Sequence, residues 1–217
     1  MDAAVFSPNI LTILENHSEI KKDLWIKLSP ATDLTWIREN IHPEIDIYIM
    51  DYQQEVKEVL CHLSHSQKAL LEIISIQTEI HRINKDTDAL ITPSQYDVLW
   101  EPSSSVIKSD FLHFTELGST LSPCNENKTL FYGASLLPQW YGKFWKILEK
   151  GKGGMKQLKK ELTKLGILNA SVTCKTYPLK PAEIMKKLKL KESSRHQIYF
   201  TTHQGIKEWF IVERIKR

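Results

Sequence analysis

Glycine is scarce in this 217-residue chain, and its distribution excludes the commonest nucleotide sites. The chain has only 8 glycines, and none of them lies before Gly118. Dinucleotide and S-adenosylmethionine sites in α/β sheets need a glycine-rich turn after the first strand, because the backbone must approach the ligand closely. The front half has no such turn, and the chain has no Walker A sequence. We therefore expect no cofactor of this kind to be bound by this chain alone.

Cysteines and long apolar runs are also few. The 3 cysteines, Cys61, Cys124 and Cys174, are odd in number and far apart, which argues against a disulfide framework and predicts a cytoplasmic location. No C-x-x-C pair occurs, so we predict no metal site. No run approaches the ~18 apolar residues of a membrane span, which predicts no membrane partner. The start of the chain, MDAAVFSPN, lacks the basic and apolar regions of a secretory signal.

Charge of one sign is concentrated in the last third of the chain. The formal net charge is only +3, but residues 151–217 contain 16 Lys and Arg against 5 Asp and Glu, a net +11. The first 150 residues contain 13 basic and 21 acidic groups, a net −8. An acidic front and a basic tail indicate two parts with different roles. The basic part is a candidate for contact with a polyanion.

In the front half, short apolar segments alternate with short helical patterns. The patterns predict a helix over 8–17 capped by Ser7, a helix over 33–40 capped by Asp33, a helix over 53–63, and apolar strands over 22–29, 45–50 and 69–77. Apolar strands alternating with helices are typical of a βαβ-type sheet that is covered on both faces.

The second half has a clearer order. A polar linker is expected over 81–95, and Ser103 is expected to cap a helix that ends at Gly118. The tail then predicts a strand over 141–149, a helix over 153–165, a strand over 170–177, a helix over 181–190, and a hairpin of 196–202 with 208–215 that turns at Gly205. This β-α-β-α-β-β order suits a small open sheet with both helices on one face.

Lysines follow the two predicted tail helices. Lys156, Lys160 and Lys164 recur at i, i+4 and i+8 and so form one stripe, with Lys159 beside it. The second helix and its end carry Lys186, Lys187, Lys189 and Lys191. A solvated helix face is the ordinary reason for such lysines. The uncompensated +11 favours contact with RNA or DNA phosphates instead.

Two further features of the tail have alternative interpretations. The segment Gly151-Lys152-Gly153-Gly154 is either a flexible turn or a cradle of amides for a phosphate. Four aromatic residues could stack on bases, although each could equally be core: Trp145, Tyr177, Tyr199 and Trp209.

The segment Lys27-Leu28-Ser29-Pro30, followed by Asp33, lies where a strand opens into a loop. Open α/β sheets place their sites at the carboxyl ends of strands. A strand end followed by a capped helix explains the same residues at least as well.

Several segments together resemble a known family. The tail segments are N169-A-S-V-T-C-K-T-Y-P-L, A182-E-I, K186-K-L-K-L-K-E and Y199-F-T-T. They resemble the THUMP-like C-terminal domain of a Bacteroidetes-type group of class I S-adenosylmethionine-dependent methyltransferases. Glu101-Pro102 resembles the group's central region. Residues 5–9, and the K-L-S-P-x-x-D motif from Lys27 to Asp33, resemble segments late in its catalytic domain.

The resemblance implies a fold and a function. The implied fold class is α/β, with three parts in chain order. They are a partial Rossmann-like methyltransferase segment (1–80), a linker and middle segment (81–138), and a basic, ferredoxin-like βαβαββ THUMP-like domain (139–217). The resemblance implies a substrate-side role for Lys27, Ser29, Pro30 and Asp33. The family's glycine-rich S-adenosylmethionine loop precedes the part that this chain matches.

We therefore expect the RNA-binding, substrate-recognition part of a methyltransferase-like protein, and whether the chain itself is an enzyme stays open. One alternative is a divergent RNA methyltransferase completed by a partner chain. Another is a non-enzymatic protein–protein interaction module. An open edge of the front sheet predicts self-association or a partner chain through Trp25 and the 45–50 strand.

Overall fold

A computed structural model describes residues 9–16, 23–64, 69–77, 79–84, 92–110 and 121–215. The chain divides into two compact units. The first unit comprises Met1–Asp88 with Ser103–Thr115, and the second comprises Ala89–Pro102 with Glu116–Arg217. The domain boundaries drawn from the sequence stay a prediction.

The described part of the first unit contains short helices and one mixed sheet. Its elements are α1 (Ile10–Asn16), β1 (Leu24–Leu28), α2 (Leu34–Asn40), β2 (Asp46–Tyr52), β3 (Glu55–Leu63), β4 (Leu71–Ile76), β5 (Ile80–Asn84) and α3 (Ser104–Ser109). The strand order is β1-β3-β2-β4-β5. Strands β2 and β4 pair in parallel, and the other pairs are antiparallel. Strand β1 consequently runs in the same direction as β2 and β4.

One face of this sheet forms a core. Its side chains alternate along the strands and are buried: Ile26, Leu28, Ile47, Ile49, Val59, Cys61, Ile73 and Ile83. Helix α2 buries Trp36 and Ile37, and helix α3 packs on β2, β3 and β4. The opposite face keeps Trp25, Tyr52 and Ile80 exposed. The expectation of a sheet covered on both faces is therefore wrong at these positions.

The helix predicted over 53–63 is wrong, because this segment is strand β3. Val56 and Val59 are spaced as on a helix, but the burial of Val59, Cys61 and Leu63 has the period of two that a strand requires. The β2–β3 turn consists of Gln53 and Gln54, both at positive φ. Because glycine and asparagine are the usual residues of such turns, the two glutamines give no turn signal.

Helix starts are set by side-chain caps. Asp33 caps α2 and Ser103 caps α3, which confirms both predictions. At α1, Asn9 Oδ1 accepts bonds from the N–H groups of Leu11 (3.1 Å) and Thr12 (3.4 Å), so Asn9 takes the capping role predicted for Ser7, which lies outside the described residues. The segment expected to be a polar linker over 81–95 contains most of β5 and the start of the next strand.

The second unit contains one seven-stranded sheet. Its elements are β6 (Thr92–Pro102), β7 (Leu121–Pro123), β8 (Phe131–Leu136), a 3-10 turn (Gln139–Tyr141), β9 (Gly142–Lys152), α4 (Met155–Lys164), β10 (Ser171–Lys175), α5 (Pro181–Leu188), β11 (His196–His203) and β12 (Ile206–Arg214). The strand order is β10-β11-β12-β9-β6-β8-β7. The β-α-β-α-β-β order from β9 to β12 is confirmed, and Gln204 and Gly205 at positive φ make its final turn.

Alternate residues of β11 and β12 serve two separate cores. Ile198, Phe200, Trp209 and Ile211 belong to one cluster with buried side chains of both α4 and α5. This shared cluster confirms that the two helices lie on one face of the sheet. The intervening residues form the other core with Leu99, Cys124 and Leu130: Tyr199, Phe210 and Val212.

The seven-stranded sheet curls on the side away from α4 and α5. Thr201 Oγ1 donates to the carbonyl oxygen of Cys124 at 3.0 Å. The His203 ring lies 3.1 Å from the carbonyl oxygen of Pro123. Strand β7, the last in the strand order, thereby meets β11, the second in that order. These contacts bring the two end regions of the sheet together beside the core that contains Tyr199.

Candidate nucleic-acid interface

Helix α4 presents a row of lysines to solvent. Leu158 and Leu162 are buried on its inner side. Lys156, Lys160 and Lys164, at the predicted four-residue spacing, are exposed. Lys159 is exposed beside them. We call these four residues the α4 lysines.

Few carboxylates neutralise these cations. Lys164 Nζ lies 3.5 Å from Glu161 Oε2, and Lys152 Nζ lies 3.7 Å from Glu208 Oε1. Both lysines are mostly exposed, so these contacts screen them only weakly. Within the described ranges, Lys156, Lys159 and Lys160 form no ion pair. The charge on the outer side of α4 is therefore largely uncompensated.

Helix α5 adds a second set of cations on the same side of the sheet. It starts at Pro181, the position that proline favours, and buries Ile184 and Leu188. Its backbone ends in a left-handed residue, Lys189, whose N–H donates to the carbonyl oxygen of Lys186 at 3.3 Å. The set consists of four exposed lysines, none of which forms an ion pair with a described carboxylate. They are Lys186, Lys187, Lys189 and Lys191. That both sets form one continuous surface stays a prediction.

The glycines between β9 and α4 have distinct structural roles. Gly151 pairs with Trp209 across the sheet, and a Cβ there would lie 2.3 Å from Trp209 Cζ2. Gly153 has φ +108°, and its N–H donates to the carbonyl oxygen of Lys207 at 3.3 Å. Gly154 is the N-cap residue of α4, where no side chain caps the helix. The segment is a packed strand end and a turn, which supports the turn interpretation over a phosphate cradle.

Two of the four candidate stacking aromatics are core residues. Tyr199 and Trp209 are each only 1% exposed, so neither can stack on a base in this structure. Trp145 and Tyr177 are half-buried. The core interpretation, left open by the sequence, therefore holds for Tyr199 and Trp209.

A polar contact that crosses the curled sheet matches no sequence pattern. The Tyr199 hydroxyl donates to Glu101 Oε2 at 2.9 Å, and Lys175 Nζ lies 2.8 Å from Glu101 Oε1. Burial, and secondarily the Glu101 charge, raise the pKa of Tyr199, which keeps its hydroxyl protonated. The three residues lie on three strands and are far apart in the chain, so no local motif could reveal the contact.

Two cation–aromatic pairs were also missed. Lys146 Nζ lies 5.2 Å from the centre of the Tyr96 ring, and Lys150 Nζ lies 4.7 Å from that of Tyr132. Lys146 and Tyr96 lie on the neighbouring strands β9 and β6, whereas Lys150 on β9 and Tyr132 on β8 have β6 between them in the strand order. Both pairs depend on how the strands are arranged, which is not readable from one sequence.

The K-L-S-P-x-x-D motif of the first unit has a structural role at each position. Lys27 Nζ pairs with Glu58 Oε1 at 2.6 Å on the open sheet face. Ser29 Oγ accepts the N–H of Ala31 at 3.2 Å, and Pro30 follows the strand end. Asp33 caps α2, and the backbone N–H groups of Trp36 and Thr35 lower the pKa of its carboxyl. A substrate-side role for the four residues stays a prediction.

An open groove of about 520 Å³ lies next to this motif. Its lining side chains are Pro30, Glu55, Val56, Ser104, Ile107 and Lys108. Lys108 Nζ donates to the carbonyl oxygen of Thr32 at 2.6 Å, and burial lowers the pKa of the amine. The lysine therefore fixes the motif loop to α3.

Asp51 anchors α3 from inside the sheet. Its buried carboxylate accepts bonds from the Gln54 N–H (3.1 Å), the Ser75 hydroxyl (3.0 Å) and the Ser105 hydroxyl. A buried carboxylate with several donors is stable only while the donors remain, so this cluster specifies how α3 packs.

Comparisons with known proteins agree with the architecture of the tail. Residues 142–214, from β9 to β12, match the family described as THUMP domain-like. These residues form a THUMP-like domain. The domain contains all of the tail lysines named above. The resemblance seen in the sequence is confirmed for this segment.

The fold of the whole chain matches a solved structure. This is the crystal structure of a "putative methyltransferase from Porphyromonas gingivalis W83", with a TM-score of 0.72 and 17% sequence identity. The match covers 99% of this chain but only 56% of the other one. The α/β fold class expected from the sequence is thereby confirmed. No curated protein matches the sequence.

The described residues of the first unit include no glycine-rich turn of the kind that S-adenosylmethionine sites use. All described glycines lie in the second unit. The Asp33 carboxylate, which follows β1, accepts bonds from the backbone N–H groups of α2. That this chain alone binds no such cofactor stays a prediction.

The described ranges lack a metal-binding cluster and a membrane-spanning helix. No group of three or more His, Cys, Asp or Glu residues there could hold a metal ion. No helix there is long and apolar enough to cross a membrane.

Proposed function

We propose that this chain binds RNA through its THUMP-like domain and serves as the substrate-recognition part of a methyltransferase-type protein. The observation that carries the proposal is the uncompensated charge on α4, within the THUMP-like domain. Lys156, Lys159 and Lys160 are exposed without a described carboxylate partner.

Electrostatics supports RNA over a neutral partner. Phosphate contacts supply most of the sequence-independent affinity for nucleic acids, and lysine supplies a mobile point charge suited to them. Leu158 and Leu162 fix the orientation of α4, so its lysines stay on the outer side. The methyltransferase assignment is supported by the fold match, and methyl transfer by this chain alone is not part of the proposal.

The test is RNA binding measured at several salt concentrations. Each phosphate contact with single-stranded RNA contributes about 0.7 to the slope of log K against log salt. The triple variant Lys156→Gln/Lys160→Gln/Lys164→Gln should therefore flatten the slope by up to about 2. The fold should survive because Leu158 and Leu162 are unchanged.

A matched control removes three exposed lysines outside α4: Lys57→Gln/Lys128→Gln/Lys143→Gln. This control has the same net charge as the α4 variant and should keep the wild-type slope. If a folded α4 variant binds RNA with an unchanged slope, or if both variants flatten it equally, the α4 lysines are only a solvated face.

A further inference from the structure

The loop that follows helix α4 exposes two leucines. Leu165 is 39% exposed and Leu168 is 79% exposed, whereas Ile167 between them and Ala170 after them are buried. Among the large apolar side chains of the described ranges, Leu168 has the greatest exposure. We call Leu165 and Leu168 the leucine tip.

Backbone hydrogen bonds hold the leucine tip in place. The Ile167 N–H donates to the carbonyl oxygen of Leu162 at 2.9 Å, which ties the loop back to α4. The Ala170 N–H donates to the carbonyl oxygen of Lys191 at 3.0 Å, which ties the loop to the segment after α5. A preorganised surface of this kind loses little conformational entropy when it binds a partner.

Cations lie on both sides of the leucine tip. Helices α4 and α5 finish at the same end of the domain, because each is followed by one strand of the parallel pair β10 and β11. Lys164 directly precedes the tip, and Asn169, directly after it, pairs with Lys191. Segment 186–192 contains four exposed lysines and one carboxylate, that of Glu192. This charge favours an anionic partner for the tip.

The helix dipole explains only part of this arrangement. Cations at the carboxyl end of a helix offset the partial negative charge of its last carbonyl groups. That effect accounts for lysines in the last turns of α4 and α5. It does not account for the exposed leucines between them, which must gain their affinity from apolar surface that a partner removes from water.

In RNA, accessible apolar surface is found on the faces of bases. Within a double helix these faces are stacked on one another, and the grooves display hydroxyl groups and base edges, so a paired base face is open only at a helix end. Unpaired bases are mostly stacked on aromatic side chains, and no described aromatic side chain of the second unit is exposed. The leucine tip therefore suits a helix end better than a single strand.

We propose that the leucine tip packs against the last base pair at the open end of an RNA helix, whose phosphates the flanking lysines bind. Leucine is one of the apolar side chains that nucleic-acid-binding proteins pack against base steps. The inference rests on the proposed function for the class of partner, and it adds which part of the RNA is recognised. Leu168 is then a specificity-determining residue, because phosphates are alike along the whole helix.

The experiment compares the affinities of the full chain for two RNA probes with the same stem. One probe is a hairpin with a blunt end, and the other is closed by identical loops at both ends. We expect the wild type to bind the hairpin about tenfold more tightly, since burial of a leucine side chain is worth about a factor of ten in affinity. Leu168→Ser should remove this preference and keep the wild-type unfolding midpoint, because its side chain is mostly exposed.

Two further variants control for a general loss of apolar surface. Ile206 has an isomeric side chain, is 45% exposed and lies beyond the opposite end of β11 from the tip. Ile206→Ser should therefore keep the preference for the blunt end. Leu168→Phe retains a large apolar side chain and should keep it too.

The salt dependence separates this inference from the proposed function. Leu168→Ser should keep the wild-type slope of log K against log salt, because leucine contacts no phosphate. The α4 triple variant should flatten the slope and keep the preference for the blunt end. If the triple variant keeps the wild-type slope, the proposed function fails; if it flattens the slope while the wild type binds both probes equally, only the role of the tip fails.

Two other results also overturn the role of the tip. One is an equal loss of preference in Leu168→Ser and Ile206→Ser. The other is binding to phosphatidylserine vesicles that is stronger than binding to either RNA and that Leu168→Ser abolishes, which would assign the tip to an anionic membrane surface.

Discussion

Gly151 is the position where the smallest substitution should have a large effect. In Gly151→Ala, the added Cβ would lie 2.3 Å from Trp209 Cζ2, 2.8 Å from Cη2 and 2.9 Å from Cε2. Ordinary contact begins at 3.4 Å, so the ring or the strand must move by about 1.1 Å. Trp209 is buried in the core under α4 and α5 and has little room to move.

Overpacking of this kind costs about 1–3 kcal/mol. For a chain of 150–250 residues, each kcal/mol lowers the melting temperature by roughly 2–4 °C, so the expected decrease is roughly 2–12 °C. Thermal and urea unfolding, followed by circular dichroism, measure it. Gly154→Ala is the matched control, because nothing lies within 4 Å of its added Cβ.

A second substitution tests the cause. Cζ2, Cη2 and Cε2 belong to the outer ring of the indole, which phenylalanine lacks. In a Trp209→Phe background, Gly151→Ala should therefore cost less, with a coupling energy of about 0.5–3 kcal/mol. The steric argument is refuted if Gly151→Ala costs no more than Gly154→Ala, or if its cost is the same in both backgrounds.

Two further predictions concern titration. The folded-state pKa of Asp33 is lowered, so its stabilisation is present above the ordinary carboxyl pKa and is lost as pH falls through the lowered value. Asp33→Ala should then cost about 1 kcal/mol at pH 7 and less below about pH 4, as measured by urea unfolding; a pH-independent difference would contradict this. Burial raises the pKa of the Cys61 thiol to about 12, whereas Cys174 is only half-buried. Iodoacetamide at pH 8 should alkylate Cys174 first in the native chain by intact mass, and earlier labelling of Cys61 would be the contrary result.

The sequence predicted the elements that local signals specify. Asp33 and Ser103 were recognised as caps because a cap bonds to amides only two or three residues away. The lysine stripe on α4 followed from helical period alone, and the final hairpin followed from Gly205. The order of the THUMP-like domain was predictable for the same reason, since each of its elements has its own local pattern.

The features that the sequence did not reveal depend on distant partners. Strand β3 resembled a helix because its turn uses Gln53 and Gln54 at positive φ, which neighbouring strands hold in place. Gly151 resembled part of a flexible turn, because the residue that leaves no room for a Cβ there, Trp209, lies on a strand far along the chain. The edge position of β1 follows from the insertion of β3 between β1 and β2, and no local pattern encodes that order.

The charge patterns of the two units differ in how they can attract a ligand. On the open face of the first unit, Lys27 and Arg82 each lie beside a carboxylate. On the outer side of α4, Lys156 and Lys160 have no described partner, so a ligand there must supply negative charge. Binding to exposed, unpaired charges weakens steeply as salt rises, because counterions compete. RNA should therefore dissociate from the THUMP-like domain as the salt concentration rises, and RNA binding that does not change with salt would contradict the charge argument.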